Sequence, residues 1–176
     1  MKIKKLFKFT VVMLSFVLVF TFLTSAPTKA KEIEAPTDKE VKKAKQFSQN
    51  SLKINEDGTY EIDKESASKI YSDSEIKNID NTLQSIDKKV LSGLNKQYGS
   101  PQDKNQKDVT PYFAPAIPIV AMGIWELLGW LGTIGFGAIA AAFAKDMYTH
   151  GVKSACKKFA GKNKHIKSWC KSNGYL

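Results

Sequence analysis

Arginine is absent from this chain of 176 residues, so all 27 basic groups are lysines. Bidentate recognition of phosphates and base edges favours the guanidinium group of arginine. The absence of arginine therefore argues against a nucleic-acid-binding protein. Catalytic motifs are also missing: there is no Gly-x-Ser-x-Gly, no paired-histidine motif and no phosphate-binding loop. The only histidines are His150 and His165. We therefore expect neither an enzyme nor a cofactor.

Charge is spread unevenly along the chain, whose net charge is +10. The first 30 residues carry five lysines and no acidic residue, whereas residues 31–110 are nearly balanced. Residues 111–176 carry eight lysines against only Glu126 and Asp146. The length allows one domain, or one small domain with tails, and the charge pattern requires each segment to be interpreted separately.

Residues 1–30 have the pattern of a secretory signal peptide. Lysines open the segment, an apolar stretch of about 15 residues follows, and Thr28-Lys29-Ala30 places small residues where signal peptidase requires them. The sequence predicts cleavage between Ala30 and Lys31. The alternative is an uncleaved anchor, although a membrane span needs about 20 apolar residues. We expect export into an oxidising space.

Residues 31–94 predict a small α+β region. Thr37 to Glu40 has the form of a capping box, which indicates a short helix. Apolar residues alternate on both sides of Asp57-Gly58, so residues 52–62 predict a β-hairpin. A second capping box at Ser72 to Glu75 precedes one apolar stripe, which predicts a single helix of about six turns. Its members are Ile76, Ile79, Leu83, Ile86, Val90 and Leu94.

The role of this region is open between two interpretations. It could be a solubilising spacer, or a pro-region that covers the apolar C-terminal segment until processing. We favour a pro-region, because so long an apolar stripe needs a partner surface. Residues 95–117 are mostly polar and predict a linker with the processing site, so an active part would begin between about Val109 and Pro118.

Residues 118–144 contain a single charge, at Glu126, and predict one hydrophobic helix. About 27 helical residues span about 40 Å, enough to cross a bilayer core with tilt. Trp125 and Trp130 would anchor the helix at the interface. Gly129, Thr133, Gly137 and Ala141 recur every fourth residue and form a small face through which copies could associate in lipid. A buried core helix is the alternative.

Glu126 argues against a passive span, because a carboxylate in hydrocarbon is costly unless it takes up a proton. A gating role is one interpretation, and a tolerated position just below the interface is the other.

Residues 145–176 combine basic and apolar residues in a pattern typical of segments that lie on anionic membranes. We expect contacts with anionic lipid from the lysines, namely Lys153, Lys157, Lys158, Lys162, Lys164, Lys167 and Lys171. Each would contribute about 1 kcal/mol of attraction.

Cys156 and Cys170 are the only cysteines, and an exported chain favours their pairing. On one straight helix they would be about 21 Å apart, so a disulfide requires the chain to fold back. Gly161-Lys162-Asn163-Lys164 would supply the turn of a helical hairpin. A metal site formed with His150 and His165 is a weaker alternative, because the spacings match no zinc pattern.

The layout resembles that of large-precursor bacteriocins of Gram-positive bacteria. The resemblance lies in the signal end Thr28-Lys29-Ala30, the hairpin Leu52–Ile62 and the block Trp125–Cys170. It is one of organisation, without a double-glycine leader. The sporulation-delaying toxin family is similar in layout, but its cysteine spacing differs. The resemblance implies release of a cationic peptide that permeabilises or depolarises bacterial membranes.

The sequence therefore predicts a mainly α fold made of a signal peptide, a small α+β pro-region, a hydrophobic helix and a disulfide-closed helical hairpin. We expect a secreted antimicrobial precursor whose partners are the anionic bacterial membrane, further copies of the peptide and an immunity protein. One alternative is a single-pass membrane protein whose lysine tail lies in the cytoplasm, which would leave both cysteines as thiols. Another is an immunity or accessory protein.

Overall fold

The computed structural model describes residues 36–102 and 122–176, which we call the N-terminal half and the C-terminal half. These residues are mainly helical, with eight helices and one two-stranded sheet. The predicted signal peptide, its Ala30–Lys31 cleavage site and most of the predicted linker lie outside the described residues.

The first helix, α1 (Asp38–Ser51), begins at the predicted capping box. The Glu40 backbone donates to Thr37 Oγ1, and the Glu40 carboxylate accepts from the Thr37 backbone at 2.7 Å. Two of the donors that every helix start leaves unpaired are thereby satisfied. The helix buries one face, formed by Val41, Ala44 and Phe47.

The predicted hairpin is present as β1 (Leu52–Ile54) and β2 (Tyr60–Ile62). The strands pair antiparallel with Leu52 opposite Ile62 and Ile54 opposite Tyr60. Asp57 Oδ1 accepts from the Thr59 backbone at 2.9 Å, and Gly58 has φ +81°, a conformation that glycine adopts without strain. Leu52 and Ile54 are buried, which secures the hairpin to the core.

A short helix, α2 (Lys64–Ser68), follows the hairpin and leads into α3 (Asp73–Gln84) and α4 (Lys88–Tyr98). The prediction of one continuous helix through Leu94 was wrong. Ser85 Oγ donates to the Thr82 carbonyl at 2.6 Å, and Asp87 accepts from the Lys89 backbone at 2.7 Å. These short polar side chains end one helix and start the next. The apolar stripe nevertheless stays buried across the break, including Ile86.

The predicted hydrophobic helix is also broken. Its described part forms α5 (Ile124–Thr133) and α6 (Gly137–His150). Gly135 has φ +83°, the Phe136 backbone donates to the Leu131 carbonyl, and the Gly135 backbone donates to the Gly132 carbonyl. This is the Schellman motif that ends many helices at a glycine. In the part of the chain that the structure describes, we find no helix with the length and apolar character needed to cross a membrane.

The C-terminal helical hairpin is confirmed, with helices α7 (Val152–Phe159) and α8 (Lys164–Ser172). Asn163 caps α8 by accepting from the backbones of His165 and Ile166. A disulfide joins Cys156 to Cys170, whose Cα atoms are 5.7 Å apart. The chain therefore folds back at residues 160–163, as the cysteine spacing requires.

The two halves share one hydrophobic core. Helix α5 packs against α1 and α3 of the N-terminal half and against α6 of its own half. Helix α6 in turn packs against α3 and α4. The largest fully buried side chains come from both halves, and they include Phe47, Leu83, Trp125, Trp130 and Phe143.

We expect the double substitution Cys156→Ala/Cys170→Ala to lower the free energy of unfolding by about 3 kcal/mol. The bridge closes a loop of about 15 residues and thereby restricts the unfolded chain. Urea denaturation of the variant and of the oxidised protein measures the difference, and the reduced wild-type protein is the control. Equal midpoints for oxidised and reduced protein would show that the bridge adds no stability.

Candidate functional site

Helix α5 has no face that meets solvent. Every residue from Ile124 to Gly132 is buried. A helix that is apolar on all sides is stable in water only when neighbours enclose it completely. Here α1 and α3 of the N-terminal half supply part of the enclosure. The segment that we predicted to be membrane-active is therefore covered by the region that we predicted to be its pro-region.

Glycines allow this cover to approach closely. A Cβ built on Gly132 would lie 2.9 Å from Thr82 Oγ1 and 3.2 Å from the Cα atom of Ile79. A Cβ built on Gly137 would lie 2.4 Å from Thr82 Oγ1, whereas one on Gly129 would make ordinary contact with Phe47. Thr82 and Ile79 belong to α3, so this helix lies directly on the small residues of α5 and α6.

The predicted small-residue face is thus partly occupied by the N-terminal half. Gly129 and Gly137 touch it, whereas Thr133 and Ala141 are half-buried. Thr133 Oγ1 donates to the Trp130 carbonyl at 2.7 Å. Gly132 also lies against α3. The predicted face did not include it, because that face comprised only small residues at every fourth position of one unbroken helix.

The two predicted interfacial tryptophans lie in the core. Trp125 is 0% exposed, and its Nε1 donates to the Gly99 carbonyl at 2.8 Å. Trp130 is 2% exposed and stacks edge-on against His165, with 4.8 Å between ring centroids. That these tryptophans anchor the helix at a membrane interface stays a prediction, and it concerns the C-terminal half after its separation from the N-terminal half. Trp169, which we did not single out, donates from Nε1 to the Met122 carbonyl and joins α8 to the start of α5.

Glu126 is a buried carboxylate at the boundary between the halves. It is 5% exposed, and its Oε1 accepts a hydrogen bond from Ser48 Oγ at 2.8 Å. Burial raises the pKa of Glu126, although the Ser48 bond and the charge of Lys45 act in the opposite direction. The carboxylate also lies in the first turn of α5, where the helix dipole favours a negative charge. Desolvation outweighs these favourable interactions, so the pKa of Glu126 lies above its ordinary value.

His165 is the second buried titratable group near this boundary. It is 2% exposed, and neither ring nitrogen has a hydrogen-bond partner among the described residues. Burial lowers the pKa of His165, and the charge of Lys164 adds to this effect, whereas Glu40 of α1 opposes it. Burial thus favours the neutral imidazole, whose ring lies between those of Trp130 and Phe136.

All of the lysines predicted to contact lipid are exposed, whereas the opposite sides of α7 and α8 are buried. The seven are Lys153, Lys157, Lys158, Lys162, Lys164, Lys167 and Lys171. Lys158 forms an ion pair with Asp146, which is buried and lies 3.3 Å from His150 Nδ1. The covered protein thus presents its positive charge to solvent while its apolar helices stay inside.

A metal site has no support among residues 36–102 and 122–176. Cys156 and Cys170, two of the four ligands in the metal alternative, are joined to each other. No group of three or more potential ligands occurs in this part of the chain.

No family model, curated protein or solved structure matches the chain.

We expect the variant Glu126→Gln to become more stable than wild type as pH rises. The raised pKa means that the folded state holds this proton more tightly than the unfolded state does. Glu126 therefore lowers the free energy of unfolding as pH rises from about 4.5 through the folded-state pKa. Urea denaturation as a function of pH measures this effect.

The matched control for this measurement is Glu61→Gln, because Glu61 is exposed on β2. It should follow the wild-type profile throughout. A stability difference between Glu126→Gln and wild type that stays constant from acid to neutral pH would contradict the assignment.

Proposed function

We propose that this chain is the precursor of a secreted cationic antimicrobial peptide that inserts into and permeabilises bacterial membranes. One observation carries the proposal: the most apolar helix, α5, is completely enclosed only because α1 and α3 of the N-terminal half lie on it. Removal of the N-terminal half exposes the apolar surface of α5, and contact of this surface with water is unfavourable. Lipid is the environment that such a surface favours.

The C-terminal half carries what a membrane-active peptide needs. Its exposed lysines would draw it to anionic lipid, each contributing about 1 kcal/mol. Trp125 and Trp130 would move from the core to the interface, where indole rings are common. Gly129, Gly137 and the neighbouring small residues would then pack against another copy of the peptide.

The disulfide supports an exported protein. Bonds of this kind persist in oxidising spaces and are rare in the cytosol. Cys156 and Cys170 both belong to the C-terminal half, so the bridge would hold α7 and α8 together in the released peptide. The alternative single-pass topology would instead place both residues in a reducing compartment.

Intact-mass analysis of the culture supernatant of a Gram-positive host tests the processing. We expect a peptide of about 60–65 residues, two hydrogens lighter than its reduced mass, because cutting would fall in the linker. Full-length protein that stays in the membrane fraction with alkylatable cysteines would favour the single-pass alternative. Full-length protein in the supernatant would contradict processing.

Dye leakage from vesicles tests the activity of the released peptide. We expect leakage from anionic vesicles at far lower peptide concentration than from zwitterionic ones. Replacing Lys164, Lys167 and Lys171 of α8 by glutamine should remove about 3 kcal/mol of attraction, on the order of 100-fold in binding. Binding of this variant to zwitterionic vesicles is the control and should be unchanged. Equal leakage from both vesicle types would exclude the role given to the lysines.

A further inference from the structure

We propose that the N-terminal half stays bound to the C-terminal half after the chain between them is cut, and that it acts as a noncovalent inhibitor. The chain has only two cysteines, and both lie in the C-terminal half. Once a peptide bond between residues 102 and 122 is broken, no covalent bond joins the halves. Whatever holds them together is then the interface alone.

The apolar part of this interface is built for close contact. Phe47 of α1 lies against Gly129, and Ile79 and Thr82 of α3 lie against Gly132 and Gly137. Phe47 and Ile79 are at most 1% exposed. Leu83, one turn after Ile79 on the same stripe of α3, is also fully buried. Separation of the halves would therefore expose part of the core of each, and not merely a surface contact.

Three further contacts cross between the halves and fix their relative positions. Ser48 Oγ donates to Glu126, and Trp125 Nε1 donates to the Gly99 carbonyl, both at 2.8 Å. A Cβ built on Gly93 of α4 would lie 2.1 Å from the ring of Tyr148, so this ring lies against bare backbone. Buried polar pairs and close backbone contacts give an interface its specificity. An interface made only of nonspecific apolar contacts would lack such hydrogen bonds and close backbone contacts.

Occupation of the small residues explains how the bound half would inhibit. The face that includes Gly129 and Gly137 is the one through which copies of the peptide would pack in lipid. Helix α3 and Phe47 already fill part of it, so the N-terminal half and a second peptide cannot occupy it together. This step rests on the proposed function, whereas the persistence of the complex does not.

The experiment uses the full chain with a protease recognition sequence placed between residues 102 and 122. After cutting, size-exclusion chromatography at micromolar concentration should show the two halves eluting together. Leakage of anionic vesicles by the cut complex should remain below one tenth of the leakage caused by the C-terminal peptide separated under denaturing conditions. Halves that elute separately would overturn the proposal.

Paired substitutions identify the interface as the cause. Gly137→Ala puts a methyl group against Thr82 Oγ1, so the dissociation constant of the cut complex should rise at least tenfold, with a matching gain in leakage. Adding Thr82→Ala removes the hydroxyl and should restore binding to within about threefold. Gly161→Ala is the matched control, because a Cβ there meets nothing within 4 Å.

Ser48→Ala provides a second route if Gly137→Ala does not fold. It removes the hydrogen bond to Glu126 while leaving the backbone unchanged, and it should weaken the cut complex about tenfold. Dissociation constants of the cut Gly137→Ala and Ser48→Ala complexes that both equal the wild-type value would overturn the proposal.

The remaining outcomes separate the two proposals. A cut complex that stays together but leaks as strongly as the isolated peptide would overturn inhibition and support the proposed function. A complex that stays together while the isolated peptide causes no leakage would overturn the proposed function and support the persistent interface.

Discussion

The complete enclosure of α5 is the constraint on which the rest of the structure depends. A helix without a polar face must be surrounded by other parts of the protein. Here α1 and α3, which precede α5 in the chain, and α6, which follows it, pack against α5. Two hydrogen bonds cross the boundary between the halves, one from Ser48 to Glu126 and one from Trp125 to Gly99. The N-terminal half buries its apolar stripes in this way, and the C-terminal half keeps its lysines outside.

The break between α5 and α6 allows the single helix α3 to pack against both of them. With Gly135 in a left-handed conformation, the chain turns so that both Gly132 and Gly137 meet Thr82. A straight helix of 27 residues would be about 40 Å long, whereas the 12 residues of α3 span only about 18 Å. The turn therefore converts a segment with the composition of a membrane span into two short core helices.

Local chemistry made much of this fold predictable. Both capping boxes, the Asp57-Gly58 hairpin and the turn between Cys156 and Cys170 follow rules that act over a few residues, and the structure confirms them. The two helix breaks were missed because continuous apolar patterns concealed Asp87 and Gly135. The sequence indicated that the apolar stripe covers the C-terminal segment, but not which residues make the contact. The burial of Trp125 and the contacts of Gly132, His165 and Trp169 depend on residues distant in sequence.

The cover precedes the covered helix in the chain, and this order has a consequence for synthesis. When the chain is synthesised from its N-terminus, the residues of α1 and α3 are made before those of α5. Helix α5 can then contact α1 and α3 as soon as it has been made. On the proposed function, this order would let the N-terminal half cover the membrane-active helix before that helix reaches the bilayer of the producing cell.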